Sequence, residues 1–364
     1  MKSLALTLAL SLAMISAAAQ NITPSNQKHS FREASELTVI GKLFDTPVPY
    51  ARVDTARHKG WNKSQNFQVR CGSGIAIAFR TNSSSIVLKP EYGQLYHGVT
   101  TNVLAHRGFD LYIKDGGEWL WAAAASPAEG KEDQQFILAA NLDGRMHECL
   151  MYLPLYSELR GLEIGVDEGS VLEASPAPFR HRVGIYGSSY TQGVSCGRAG
   201  MTYPAIFTRD TGIQLLSLGM SGQCKMEPYA ADALTDADVE AFIFDTFSNP
   251  SPAQIRERLF PFIEKMQASH PGAPLIFQRT IYRENRNFNT KVAYDESTRI
   301  ELVDSLMAIA CKKYKDVYYI HPDATAKDHE AQIDGIHPSN YGYQLWAKSI
   351  EKKACRILRK YGIK

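Results

Sequence analysis

The sequence predicts an all-β sandwich, jelly-roll-like, followed by a three-layer α/β unit built on a doubly wound parallel sheet. Three observations carry that prediction. Between about Ser30 and Val171, short runs alternate apolar and polar residues and are joined by turn-forming residues. The stretch Glu173 to Arg182, "EASPAPFRHR", then breaks the pattern with two prolines, which suit neither a helix nor a central strand. Beyond it, short apolar runs alternate with segments of helical period, as in a parallel sheet with helical crossovers. The boundaries that result are 1–19 for a leader, 20–172 for the sandwich, 173–182 for a linker and 183–364 for the α/β unit.

The leader, "MKSLALTLALSLAMISAAAQ", has a lysine, an apolar core from Leu4 to Ile15 and small residues at Ala17 to Ala19. That order is a secretory signal peptide with cleavage near Gln20, too short to span a membrane, so the mature chain is expected outside the cytoplasm, secreted or periplasmic. In the first half, Ile75, Ile77 and Phe79 point one way and Ala76, Ala78 and Arg80 the other. "GFDLYIKDGGEWLWAAAA" repeats the design, with Phe109, Leu111 and Ile113 opposed to Asp110, Tyr112 and Lys114. Asp115-Gly116-Gly117 makes its turn. In the second half the strand-like runs are "RVGIYGSS", "IQLLSLGM", "AFIFDTFS", "PLIFQRT" and "VYYIHPD", and the chain closes on an amphipathic helix.

The chain has 364 residues, enough for two domains, and a net charge of +2, which points to neither nucleic acid nor an anionic membrane surface. Its six cysteines, Cys71, Cys149, Cys196, Cys224, Cys311 and Cys355, fit no metal-ligand spacing. Most read as small buried hydrophobes, with one or two disulfides open to an exported chain. No metal or cofactor is expected.

Polar residues follow the strand-like runs in a suggestive order. After the first comes Gly187-Ser188-Ser189-Tyr190-Thr191-Gln192-Gly193, after the second Gly219-Met220-Ser221-Gly222, and after the third Asp245-Thr246-Phe247-Ser248-Asn249-Pro250. Before the last helix stands "DGIHPSNYGY", with Asp334 three residues ahead of His337. A nucleophilic serine needs a base within hydrogen-bond reach, and the base needs an acid to fix its tautomer. Asp334 and His337 in one tight turn meet that need. Acyl transfer also needs donors for a developing oxyanion. The Gly222 N–H, the Asn249 amide and the Ser189 N–H are the candidates. Which of Ser188 and Ser189 is the nucleophile is left open by these residues alone.

These blocks resemble the SGNH/GDSL hydrolase family. Placed on that family's first block, "GSSYTQG" puts Ser188 at its aspartate and Ser189 at its nucleophile. The resemblance puts the oxyanion glycine on Gly222, the asparagine on Asn249, and the acid and base on Asp334 and His337. It implies a flavodoxin-like parallel sheet. "GFDLY", Gly108 to Tyr112, looks like the GxDLY signature of an N-terminal β domain found in a bacterial subfamily. Three positions depart from the family pattern: Ser188 for aspartate, Ser217 where asparagine is frequent, and Pro250 after Asn249.

The expected function is a metal-independent serine esterase that removes short acyl groups, acetyl above all, from an oligo- or polysaccharide. The carbohydrate rests on the resemblance. Two alternatives stay open: an esterase or thioesterase on another small ester, and a weakened domain that only binds carbohydrate. His321 and Asp323 form a rival pair, Asp245 is a candidate loop support, and "QRTIYRENRNF" reads as a solvated loop, with a sugar-binding cleft lined by its arginines and aromatic residues as the alternative. The β half is expected to pack on the α/β half as one rigid unit, against the alternative of a flexible tether.

Overall fold

The computed structural model describes residues 28–96 and 98–364. The signal-peptide reading of residues 1–19 and the cleavage near Gln20 lie outside the described residues. Among the described residues no helix is long and apolar enough to cross a membrane.

The first half holds β1 (His29–Glu33), β2 (Thr38–Ile40), β3 (Ala76–Thr81), β4 (Ile86–Tyr92), β5 (Phe109–Asp115), β6 (Glu118–Ala125), β7 (Phe136–Ala139), β8 (His147–Tyr152), β9 (Leu159–Asp167) and β10 (Leu172–Ala174). They form two antiparallel sheets, ordered β1-β9-β4-β7 and β10-β3-β8-β5-β6, with β2 paired to β3. Ile77, Phe79, Phe109 and Leu111 of the second sheet, with Ile75 just ahead of β3, meet Ile86, Leu88, Leu162 and Ile164 of the first in one core. Gly116 and Gly117 both take positive φ, +57° and +92°, as a two-residue hairpin turn requires. Two short helices, α1 (Lys63–Gln68) and α2 (Val103–His106), lie in the connections.

The second half is a five-stranded parallel sheet of β11 (Arg180–Gly187), β12 (Ile213–Gly219), β13 (Ala241–Asp245), β14 (Leu275–Gln278) and β15 (Val317–Ile320). The spatial order is β12-β11-β13-β14-β15. The first strand therefore lies between the second and third, and the winding reverses there. A crevice opens at such a point beyond the carboxyl ends of the strands. Its helices are α3 (Ser189–Gln192), α4 (Tyr203–Thr211), α5 (Pro228–Leu234), α6 (Pro252–Ser269), α7 (Thr290–Lys313) and α8 (Asn340–Leu358). Helices α4 and α8 cover one face, through Phe207, Trp346 and Ile350. Helices α5, α6 and α7 cover the other, through Leu234, Leu259 and Met307.

Five of the ten residues read as a linker are strand, at its two ends. β10 pairs with β3 through Ala174, and β11 begins at Arg180 opposite Ile213. Between them Ser175 and Phe179 are buried. The halves share a core: Ala76 and Ala78 on the outer face of β3 join Tyr112 of β5, Tyr152 of β8 and Ile185 of β11. Small alanines there let the sheet come close to the α/β unit. The face of β5 opposite the sandwich core is thus an interface, which explains why Asp110 is buried.

No disulfide forms among the described residues, so the allowance for one or two pairs is corrected. All six cysteines are free thiols, and Cys71, Cys149, Cys196 and Cys224 are buried. Burial pushes the Cys71 and Cys149 thiols up to about 12, so they act as small apolar side chains.

Candidate active site

Strand β11 ends at Gly187, where an added Cβ would stand 2.0 Å from Thr191 Oγ1. Only glycine lets the chain turn so tightly into the next helix. Ser188 caps α3, its Oγ accepting from the Tyr190 N–H at 3.2 Å. Ser189 is the first residue of that helix, and its own N–H is one of those a helix start leaves unpaired. Gly193, at φ +101°, ends the helix after one turn.

The Ser189 Oγ lies 3.0 Å from His337 Nε2, and His337 Nδ1 lies 2.8 Å from Asp334 Oδ2. Asp334 Oδ1 accepts the N–H groups of His337 and Ile336 at 2.7 and 3.0 Å. Partial burial works against the Asp334 charge, but these hydrogen bonds and the nearby histidine outweigh it. They hold its carboxyl below the usual carboxylate range. An ionised Asp334 accepts the Nδ1 proton, which leaves Nε2 free to accept the Ser189 proton. The turn is fixed from outside as well. Gly335, at φ +77°, accepts the Asn285 N–H at 2.9 Å, and a Cβ there would stand 2.8 Å from the Asn285 side chain.

Ser188 makes no contact with the histidine. Its N–H and Oγ donate to Asp245 Oδ2 at 3.0 and 2.7 Å, and Thr191 Oγ1 donates to the same oxygen at 3.0 Å. A carboxylate thus supports the serine turn from the end of β13 rather than from position 188. Asp245 is fully buried, and burial raises its carboxyl to about 6 despite four hydroxyl and N–H donors. Ser217, the second departure, faces the Gly74 backbone so closely that a Cβ on Gly74 would be 2.5 Å away. The small side chain at 217 is what that contact requires.

The three candidate oxyanion donors are placed by three strand ends. Gly222 has φ +69° and no side chain to shield its N–H. Asn249 turns its Oδ1 to the Cys224 N–H at 3.2 Å, which leaves Nδ2 without an acceptor among the described residues.

Two sequence expectations change. "QRTIYRENRNF" is solvated only in part: Tyr282 and Phe288 are exposed, but Gln278, Thr280 and Ile281 are buried. Within it, the half-buried Arg283 donates to Tyr190 OH at 2.9 Å and to Ser248 O at 3.1 Å, and pairs with Glu296 at 3.0 Å. One guanidinium therefore links the residue after Ser189 to the residue before Asn249. No periodicity marks such a residue in sequence. The rival pair does not form: Asp323 caps its own turn through Thr325, and the His321 ring packs edge-to-face with Tyr319. Among the described residues no three His, Cys, Asp or Glu side chains gather as a metal site.

The profile of the GDSL-like lipase/acylhydrolase family matches residues 180–355, and that of the N-terminus of SGNH-hydrolase-type esterases matches 29–172. A crystal structure from Bacteroides ovatus described as a GDSL-like lipase is 34% identical, with a TM-score of 0.87 over 91% of this chain and 98% of that one. The salicylyl-acyltransferase of a tetracycline biosynthetic pathway has a TM-score of 0.66 at 18% identity, covering 91% and 98%. An acetyl xylan esterase from Butyrivibrio proteoclasticus has 0.53 at 11% identity, covering 92% and 99%. The last two share the fold. No curated protein matches the chain.

Proposed function

The chain belongs to the GDSL-like lipase/acylhydrolase family, with its GxDLY-type N-terminal domain, and is an ester hydrolase; from that premise we propose that it removes acetyl groups from an oligo- or polysaccharide through an acyl-enzyme on Ser189. The observation that carries the proposal is the unbroken hydrogen-bond line from Ser189 through His337 to Asp334.

Ser189 Oγ attacks the ester carbonyl carbon while neutral His337 takes its proton at Nε2. Negative charge moves to the carbonyl oxygen, which the N–H groups of Ser189 and Gly222 and the amide of Asn249 receive. Each such donor is worth roughly 3 to 4 kcal/mol in the transition state. The intermediate collapses as the sugar oxygen leaves with the proton from His337. Water then repeats the sequence on the acyl-serine, releases acetate and restores the serine. No step calls on a metal.

Carbohydrate as the substrate is supported by the surface around the histidine turn. Ile333 donates its N–H to His337 O and is largely exposed, and Tyr282, whose carbonyl holds Gln332, is exposed beside it. The flat face of the exposed Tyr282 ring suits the CH face of a sugar ring, with Ile333 as further exposed apolar surface. The acetyl xylan esterase shares both halves of the fold. The leader-like N-terminus supports action outside the cytoplasm.

A panel of acetylated glycans scored for acetate release, beside p-nitrophenyl acetate, tests the proposal. Release from at least one glycan, unaffected by EDTA, is expected. Turnover of the small ester alone, or loss in EDTA with rescue by a divalent ion, would reject it.

A further inference from the structure

Of the N–H groups in the turn that carries Gly222, all but one have an acceptor among the described residues. Gln223 N–H donates to Met220 O at 3.1 Å, closing a four-residue turn with Ser221 and Gly222 in the middle. Positive φ at Gly222 and not at Ser221 makes it a type II turn. Ser221 donates its N–H to Gln192 Oε1 at 2.8 Å, and its Oγ bonds Tyr156 OH at 2.6 Å. Its carbonyl accepts Gln68 Nε2 at 3.0 Å. Only the Gly222 N–H has no acceptor among the described residues.

Gln68 ends α1, in the N-terminal half. It is buried, and its own carbonyl accepts Arg52 Nη2 at 2.7 Å. Arg52 is fully buried and also donates to Gly219 O at 2.9 Å, so one guanidinium ties α1 to the strand end before the turn. The Ser221 carbonyl and the Gly222 N–H belong to one trans peptide, and in a trans peptide the two point in opposite directions. Type I and type II turns differ chiefly by a flip of this central peptide. Glycine at the third position tolerates both forms, so sequence alone does not fix the choice.

We infer that Gln68 is a positioning residue for the hydrolysis: by holding the Ser221 carbonyl it fixes the turn as type II and aims the Gly222 N–H at the reacting oxygen. The inference rests on the oxyanion reading of Gly222 given above. It gives the N-terminal half a part in the chemistry without contact with substrate. The same hydrogen bond polarises the peptide and strengthens its N–H as a donor.

The test compares Gln68→Met, close in shape but unable to donate, with Gln68→Glu. Turnover of p-nitrophenyl acetate is expressed per site titrated with a fluorophosphonate, so that any misfolded fraction drops out. Outright loss of an oxyanion donor costs about 10² to 10³ in kcat, and a misaimed one less, about tenfold. For Gln68→Met the expected result is that tenfold loss in kcat with little change in KM, because the donor acts on charge present only in the transition state. For Gln68→Glu the ratio of variant to wild-type kcat should fall as pH rises, since the acid form donates to Ser221 O and the carboxylate repels it. A purely structural role would leave that ratio flat. Gln68→Met at wild-type kcat, or a flat Gln68→Glu ratio, beside an inactive Ser189→Ala, overturns the inference alone. An active Ser189→Ala overturns the functional reading and this inference with it.

Discussion

Asp110→Ala removes the carboxylate at the centre of the contact between the two halves. Asp110 is fully buried on β5 and accepts Arg198 Nη1 at 2.9 Å, Gly200 N–H at 2.8 Å and Trp121 Nε1 at 3.1 Å. Burial raises its carboxyl above the ordinary value, with Arg198 as the main opposing influence. Alanine strands the buried Gly200 N–H, at about 1 to 3 kcal/mol. It also leaves Arg198 without its counter-charge. A broken buried pair costs roughly 3 to 5 kcal/mol, but the Arg198 side chain is 22% exposed and keeps Tyr112 OH at 2.7 Å, so the low end applies. Trp121 is exposed and regains its bond from water. The total is about 4 to 6 kcal/mol, or a fall in Tm of about 8 to 24 °C at about 2 to 4 °C per kcal/mol. Thermal melts followed by circular dichroism and urea titration would measure it. A Tm within about 2 °C of wild type would refute the view that this aspartate locks the halves together.

Ser189→Ala should abolish nearly all turnover, by roughly 10⁶, while Ser188→Ala keeps most of it and loses about 1 kcal/mol of stability from the helix cap. Steady-state kinetics of both would expose a wrong register if Ser188→Ala were the inactive one. Asn249→Ala should lower kcat by roughly 10² to 10³ with KM little changed, and wild-type kcat would remove that amide from the mechanism. Asp245 gives a pH signature in stability. Its folded value, about 6, lies above the unfolded 3.8, so the native state holds the extra proton between them. Its contribution is therefore present below about pH 4 and is lost as pH rises through about 6. Asp245→Asn should flatten that part of a urea-stability profile. An unchanged difference between wild type and variant from pH 4 to 7 would contradict the assignment.

The strand runs were legible because alternation marks which residues share a face. It does not say what covers the face. Ala76, Ala78, Asp110 and Tyr112 read as the outer side of a sandwich, yet they meet a second unit, and a polar alternation looks the same against solvent as against an interface. The Ser189, Gly222, Asn249 and Asp334-His337 blocks could be found because each follows a strand or opens a helix, where parallel sheets expose their residues. Asp245 stood out for the same reason. Gln68, Arg52 and Arg283 could not be found that way. Gln68 reaches a carbonyl 153 positions away and Arg283 a hydroxyl 93 positions away, and no local pattern records such pairings. The two prolines of "SPAP" mark the irregular stretch between β10 and β11, but nothing local in the sequence marks the strand ends that flank it or the burial of Phe179.

Rapid quench of the enzyme during turnover of an acetylated polysaccharide, followed by peptide mass analysis, tests the central claim most directly. The account predicts a transient mass increase of one acetyl group on the peptide that contains Ser189, absent in Ser189→Ala. Acetate release with no modified peptide, or an acetyl group carried by another residue, would contradict it.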